Sequence, residues 1–117
     1  MAESVVNLVG KGGGGSKVSL LWENPSPSAN FAEQDISLSS GDYDLLLIVA
    51  NANGAWGTKF DACNVCKKGR NAYVYLLTYS RQFTYVSDTK IHASVGYNNN
   101  SELANACIPV AIYGIKS

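Results

Sequence analysis

Two cysteines three positions apart, Cys63 and Cys66 in the segment CNVC, carry the clearest candidate chemistry in this sequence. Two thiolates at that spacing can bind zinc, and a closed tetrahedral site needs four ligands. Only Cys107 and His92 could complete the set, because the chain has three cysteines and one histidine. A disulfide is a second interpretation. The odd number of cysteines and the absence of a visible secretory signal favour a third, free thiols, so we predict no bound metal or cofactor.

The other titratable residues form no complete catalytic set. A general base needs an orienting partner and a nucleophile, and the sequence supplies neither for His92. The aspartates are scattered and form neither a calcium-binding loop nor a glycosidase pair. The glycine run in the segment KGGGGS lacks the Lys-Ser/Thr pair of a phosphate-binding loop. We therefore predict that the protein is not an enzyme.

The aromatic residues point to binding instead. Trp56 lies in the loop-like segment NANGAWG, where a large flat ring is suited to stacking on a sugar. The alternative, which burial statistics favour, is that Trp56 folds back over the end of its own sheet. We predict stacking by Trp56 or Tyr97, with hydrogen bonds from Asp61, His92 and Asn98. The tyrosines of the segment AYVYLLTY are instead interpreted as a subunit interface or a half-exposed sheet face.

The charge content narrows the choice of partners. Charged residues make up 15% of the chain and the net charge is zero, whereas about 25% is typical. A neutral surface has no field to attract nucleic acid or anionic lipid. The longest apolar run, residues 45–50, is far shorter than the roughly 20 residues of a membrane helix. So few charges fit a protein that covers part of its surface with other copies of itself.

Period-two alternation of apolar and polar residues predicts the fold. We predict strands over residues 17–22, 36–39, 43–49, 72–79, 81–86, 90–97 and 107–115. The strand over 43–49 reads as buried on both faces, Cys63 to Gly69 as a loop or ragged edge, and Ser101 to Ala106 as a short capped helix. Seven or eight short strands with turns between them indicate an all-β, antiparallel, jelly-roll-like β-sandwich.

The domain is expected to span residues 17–117. Residues 1–16 form an N-terminal segment that ends in four glycines and a serine. Such a run is a flexible joint, because each glycine loses much backbone freedom on ordering. An engineered linker is the alternative interpretation.

Four segments together resemble a protein family. They are LWENPSPSANFAEQDISL, YDLLLIV, RQFTY with its following hairpin, and CIPVAIYGIK, in that order. This arrangement is similar to small domains of tail fibre and tail-tip proteins from phages and prophages of Gram-positive hosts. The central segment CNVCKK departs from the family pattern.

The resemblance implies a β-sandwich, usually a homotrimer, at the tip of a phage tail assembled in the host cytoplasm. It implies binding to other tail proteins and to a host-surface saccharide. We therefore expect a receptor-binding virion module. The alternative is a purely structural virion subunit of the tail, baseplate or capsid decoration, without a ligand.

Overall fold

The computed structural model describes residues 17–52 and 60–117. These residues form ten β-strands and no helix. The strands are β1 (Lys17–Glu23), β2 (Gln34–Ser37), β3 (Leu45–Asn51), β4 (Asp61–Lys67), β5 (Ala72–Leu76), β6 (Tyr79–Ser87), β7 (Lys90–Ala93), β8 (Tyr97–Asn98), β9 (Ser101–Glu102) and β10 (Ile108–Lys116). The predicted all-β class is confirmed. The described residues hold more strands than the seven or eight expected, because two of them are only two residues long.

The strands form two antiparallel sheets that face each other. Sheet A has the order β1-β10-β3-β4. In sheet B, β7 lies between β2 and β6, β5 pairs along β6, and β8 joins β6 to β9. The observed arrangement of the two sheets is therefore consistent with the predicted β-sandwich. Both sheets alternate between residues that face the core and residues that face outward, as half-covered antiparallel sheets do.

The core between the sheets is aliphatic and aromatic. Sheet A contributes Leu46, Ile48 and Ile112, and sheet B contributes Val74 and Phe83. The prediction that residues 43–49 are buried on both faces is wrong. The outward residues of β3 (Leu45, Leu47 and Val49) are only half-buried, because sheet B covers just the inner side of this strand.

The segment after β1 turns the chain from sheet A to sheet B, and its two prolines, Pro25 and Pro27, suit such a turn. Buried Asn24 fixes the start of this corner, donating from its backbone N–H to the Val110 carbonyl (2.9 Å) and from Nδ2 to that of Pro109 (2.8 Å). The Trp22 ring then meets the Phe31 ring edge-on, with centroids 6.0 Å apart. Pro109 is the second residue of β10 and pairs with Ala50, so it lies near the start of the strand, where a proline is tolerated.

The predicted strand over residues 72–79 is wrong, because it is a hairpin. β5 ends at Leu76, β6 begins at Tyr79, and these two residues pair directly across a two-residue turn. Leu77 turns the chain with a φ of 56°, a left-handed conformation unusual for leucine. Tyr79 therefore packs against the core, while Tyr73 and Tyr75 stay on the outer face.

Three further segments differ from expectation. The loop or ragged edge predicted for residues 63–69 is a regular strand, β4, whose seven residues all pair with β3 at the edge of sheet A. The helix predicted for residues 101–106 is wrong, because Ser101 and Glu102 form β9 and turns follow. The strand predicted for 90–97 is also wrong in its length. It ends at Ala93, and the chain then bends so that Gly96 lies against the 103–106 turn.

A fully buried arginine joins these irregular segments to β6. Arg81 donates six hydrogen bonds of 2.6–3.3 Å, all to backbone carbonyls. The acceptors are the carbonyls of Phe31, Ser94, Ala104, Ala106 and Cys107. Its guanidinium also lies 5.4 Å from the centre of the Phe31 ring. Burial lowers the pKa of Arg81 to about 10, which leaves the side chain charged at neutral pH.

Candidate functional site

An open groove of about 340 Å³ lies on the outer face of sheet B, where β5, β6 and the β8–β9 hairpin meet. We call it the aromatic groove. It is lined by Tyr73, Ser80, Gln82, Ser94, Tyr97, Asn99 and Asn100. None of these side chains is charged at neutral pH, so the groove offers aromatic rings, amides and hydroxyls alone.

Strand pairing sets the positions of these side chains. On β6, Arg81 points into the core, so its neighbours Ser80 and Gln82 point outward. Gln82 pairs with Tyr73 on β5, and Ser80 pairs with Tyr97 on β8. The two tyrosines therefore stand on opposite sides of β6, with polar side chains between them.

Hydrogen bonds fix the back of the groove. The Ser94 N–H donates to the Gln82 carbonyl (2.8 Å), and the Gln82 N–H donates to Ser94 Oγ (3.0 Å). The Asn99 N–H donates to the Thr78 carbonyl (2.8 Å), and Asn99 has a φ of 56°, a conformation that asparagine tolerates. Within the described residues, the side-chain amides of Gln82, Asn99 and Asn100 make no hydrogen bond. These amides can therefore serve a ligand.

Of the predicted site residues, Tyr97 lines the groove. Asn98 follows it on β8, and strand alternation turns its side chain to the opposite face, so the hairpin residues Asn99 and Asn100 line the groove in its place. Asp61 begins β4 on the other sheet.

His92 and Trp56 complete the predicted set. His92 lies on the outer face of sheet B, two residues before Ser94, but does not line the groove. Trp56 lies outside the described residues. Among the predicted residues described, the structure does not bring Asp61 to Tyr97, so that part of the set does not form one site.

Sequence reasoning missed Tyr73 and Gln82 as site residues. The alternation of the segment AYVYL correctly places Tyr73 on an outer face. The sequence analysis did not predict the turn at Leu77 and Thr78 that separates β5 from β6. With that turn, pairing Leu76 with Tyr79 puts Tyr73 directly across from Gln82. The alternation in the sequence therefore placed Tyr73 on the correct face, but its pairing with Gln82 depended on a turn whose residues have no turn preference.

Beside the groove, His92 lies between two carboxylates. Its Nδ1 is 2.7 Å from Asp35 Oδ1 and its Nε2 is 2.7 Å from Glu33 Oε2. These hydrogen bonds, first to Glu33 and then to Asp35, raise the pKa of His92. The trio is solvent-accessible and ties β7 to β2, the edge strand of sheet B. Its two hydrogen bonds cross-link the strands.

We expect this cross-link to depend on pH. The folded-state pKa of His92 is above its ordinary value of 6.5, so the protonated form stabilises the fold below pH 6.5. That contribution disappears as the pH rises through the folded-state pKa. The double change Glu33→Gln and Asp35→Asn should lower the Tm at about pH 5.5 and have much less effect at about pH 8.5.

Nuclear magnetic resonance can follow the imidazole directly, because the chain has one histidine. The wild-type ring should titrate above pH 6.5, and the double variant should move the midpoint back toward that value. Glu102→Gln, at an exposed site on β9, is the matched control. A wild-type midpoint at or below 6.5 would contradict the prediction.

The three cysteines proposed as zinc ligands lie in different environments of the structure. Cys63 and Cys66 are three residues apart on β4, so they point to opposite faces of sheet A. Cys63 is exposed, Cys66 packs against the core, and Cys107 is fully buried. Burial raises the pKa of Cys66, and that of Cys107 to about 11. All three thiols are free, and in residues 17–52 and 60–117 no group of three His, Cys, Asp or Glu residues could hold a metal.

Comparison with known proteins adds no homologue. The described part of the chain has no helix long and apolar enough to cross a membrane. The sequence matches no protein-family model and no curated protein, and the chain matches no solved structure.

Proposed function

We propose that this protein is a non-enzymatic binding module whose aromatic groove holds a neutral saccharide. The observation that carries this proposal is the composition of the groove. Tyr73 and Tyr97 lie on either side of polar, uncharged side chains. A groove without charges gives no favourable field to a phosphate or a metal ion. A sugar needs none, because it presents hydroxyl groups and apolar C–H faces.

Each part of the groove matches one part of a sugar. A tyrosine ring offers a large flat area with few rotatable bonds, which suits stacking on the C–H face of a pyranose. An amide offers two N–H donors and an acceptor oxygen, which suit neighbouring hydroxyl groups. The volume of about 340 Å³ lies at the lower end of ligand sites, which run from about 300 to 1,000 Å³. It suits a short segment of a glycan better than a long chain.

The proposed setting is the receptor-binding head of a phage tail fibre or tail tip. The sequence motifs described above support this setting, and a groove suited to a neutral sugar is compatible with it. In this setting the module is part of the virion, contacts other tail proteins and forms the homotrimer that the resemblance implies.

A purely structural virion subunit is the second candidate. The observation that favours it lies on sheet A, whose outer face carries exposed or half-buried Leu20, Leu47 and Val65. A contiguous apolar face of this kind is typical of a surface that meets another protein. In this candidate, the groove has no ligand of its own.

Glycan-array screening followed by calorimetric titration tests the saccharide proposal. We expect binding to neutral glycans, with an affinity reduced at least about tenfold by Tyr73→Ala or Tyr97→Ala, because each removes a stacking surface. Tyr75→Ala is the matched control, since Tyr75 shares the strand and face of Tyr73 but does not line the groove. Trp56→Ala tests the original loop prediction separately.

Circular dichroism should show that all of these variants are folded. Equal affinity in the wild type and both groove variants would contradict the proposal. So would a wild-type protein that binds no neutral glycan.

A further inference from the structure

The outer face of sheet A is apolar across all four strands. Its residues pair in rows that run across the sheet. We define the apolar face as Val18, Leu20, Leu45, Leu47, Val49, Val65, Ala111, Tyr113 and Ile115. The central row runs from Leu20 through Tyr113 and Leu47 to Val65.

These side chains are distinct from the core between the sheets. Leu20 is 49% exposed and Val65 is 38% exposed. Ile115 and Ala111 are buried, yet neither belongs to the cluster that fills the sandwich. The sheet therefore carries an apolar layer on each side, and sheet B covers only one of them.

The two ends of β4 carry opposite charges, so the two ends of the apolar face differ in charge. Ala62 and Cys66 point to the core, so Asp61 and Lys67 point outward, at opposite ends of the strand. They are six positions apart along the strand, a distance of about 20 Å. Glu23 of β1 lies in the row of Ala111 and Val49, toward the Asp61 end. One end of the face is therefore acidic, and Lys67 marks the other.

We infer that the apolar face binds the same face of a second copy, about a two-fold axis that crosses the strands. This axis places β4 antiparallel over β4 of the other copy. Lys67 of each copy then lies opposite Asp61 of the other, and both pairs form at once. A self-complementary patch of this kind is what a two-fold interface requires.

The charges also distinguish this arrangement from the alternatives. An axis parallel to the strands sets β1 over β4 of the other copy, so Glu23 meets Asp61. Lys67 then meets the end of β1 that begins with Lys17. A three-fold axis parallel to the strands likewise brings like ends together. Only the axis across the strands joins opposite charges, so a trimer would have to use another surface.

The size of the face sets the expected strength. Four strands and three rows span roughly 19 by 20 Å, or about 400 Å² per copy, from the standard strand spacings. Specific interfaces average about 800 Å² per partner, so this one lies at the weak end. We expect a dimer that dissociates on dilution through the micromolar range. The aromatic groove is on sheet B, so pairing leaves it open and the inference is independent of the proposed saccharide binding.

Sedimentation of the full chain over about 1 µM to 1 mM tests the pairing. We expect a concentration-dependent dimer whose Kd rises at least tenfold in Leu20→Lys and in Val65→Lys. Val86→Lys is the matched control, because Val86 is 52% exposed but lies on sheet B. Its Kd should equal that of the wild type. Because all three sites are exposed, the variants should remain folded.

A charge exchange then tests the axis. Asp61→Lys alone and Lys67→Asp alone should each raise the Kd several-fold, because each puts like charges opposite one another. The double variant restores opposite charges and should return close to the wild-type Kd. A monomer at every concentration, or a trimer without a dimer, overturns the inference. So does a double variant that is no tighter than the single ones.

Discussion

An Arg81→Met variant should lose a large part of the stability of the fold at 25 °C. Methionine fills similar space but removes six hydrogen bonds, which leaves five backbone carbonyls without this donor. Losing a buried partner costs about 1–3 kcal/mol for each group, although some of these carbonyls keep another donor, as Ala104 keeps the Phe31 N–H. We expect a loss of at least about 4 kcal/mol, against a total stability of about 5–15 kcal/mol for a typical domain.

Two further variants make the Arg81 prediction specific. Arg81→Lys keeps the positive charge but has one nitrogen instead of a planar fork, so it should recover only part of the loss. Arg70→Met removes an arginine from an exposed position and should leave the Tm nearly unchanged. Urea unfolding followed by circular dichroism measures all three. An Arg81→Met protein within about 1 kcal/mol of the wild type would show that the carbonyls find other donors.

A Gly96→Ala change should have the second largest effect. A Cβ at this position would lie 2.5 Å from the carbonyl oxygens of Leu103 and Ala106, and 2.9 Å from Arg81 Nη2. No flexible side-chain end can yield to relieve the backbone contacts. The turn over 103–106 has to shift, and that shift disturbs carbonyls to which Arg81 donates. We expect a loss of about 3 kcal/mol, the upper part of the usual range for overpacking, and a Tm lower by roughly 10 °C.

Gly69→Ala provides the contrast for Gly96. Gly69 has a positive φ of 85°, but a Cβ there meets nothing within 4 Å. Its substitution should therefore cost only the conformational strain, about 1–2 kcal/mol. Differential scanning calorimetry should rank Gly96→Ala well below Gly69→Ala in Tm. The reverse order would mean that the 103–106 turn adjusts freely, and that Arg81 does not hold it in place.

The sheets could be predicted where burial is strong and one-sided. In β3 buried and half-buried residues alternate from Leu45 to Ala50, and the continuous aliphatic run identifies the segment as a strand. The Leu77–Thr78 turn could not be predicted. Neither residue favours a turn, and the pairing of β5 with β6 imposes the left-handed conformation of Leu77.

The role of Arg81 was also beyond sequence reasoning. Alternation does group Arg81 with Phe83 and Tyr85 on one face of the strand. An arginine on a strand is nonetheless expected at the surface unless it is paired. Its burial depends on carbonyls between 13 and 50 residues away along the chain, which only the folded topology brings together.

Part of the candidate site could be predicted from the sequence. Tyr97 was selected for its aromatic ring, and it does line the groove. Trp56, one of its expected companions, was chosen because it lies in a loop-like segment, whereas the groove is built across strands. Tyr73 is 24 residues earlier in the chain and reaches the groove only through the pairing of β5 and β8 with β6.

The order of sheet A has a consequence for how the chain folds. β10 separates β1 from β3, so until residues 108–116 have been made β1 has no partner in sheet A and β3 has only β4. During synthesis, the aliphatic strand LLLIVAN therefore waits without its central partner. Pairing strands almost a full chain length apart carries a high loop-closure cost, which slows folding into the range of milliseconds to seconds. Over that time, the exposed strand is the segment most prone to aggregation.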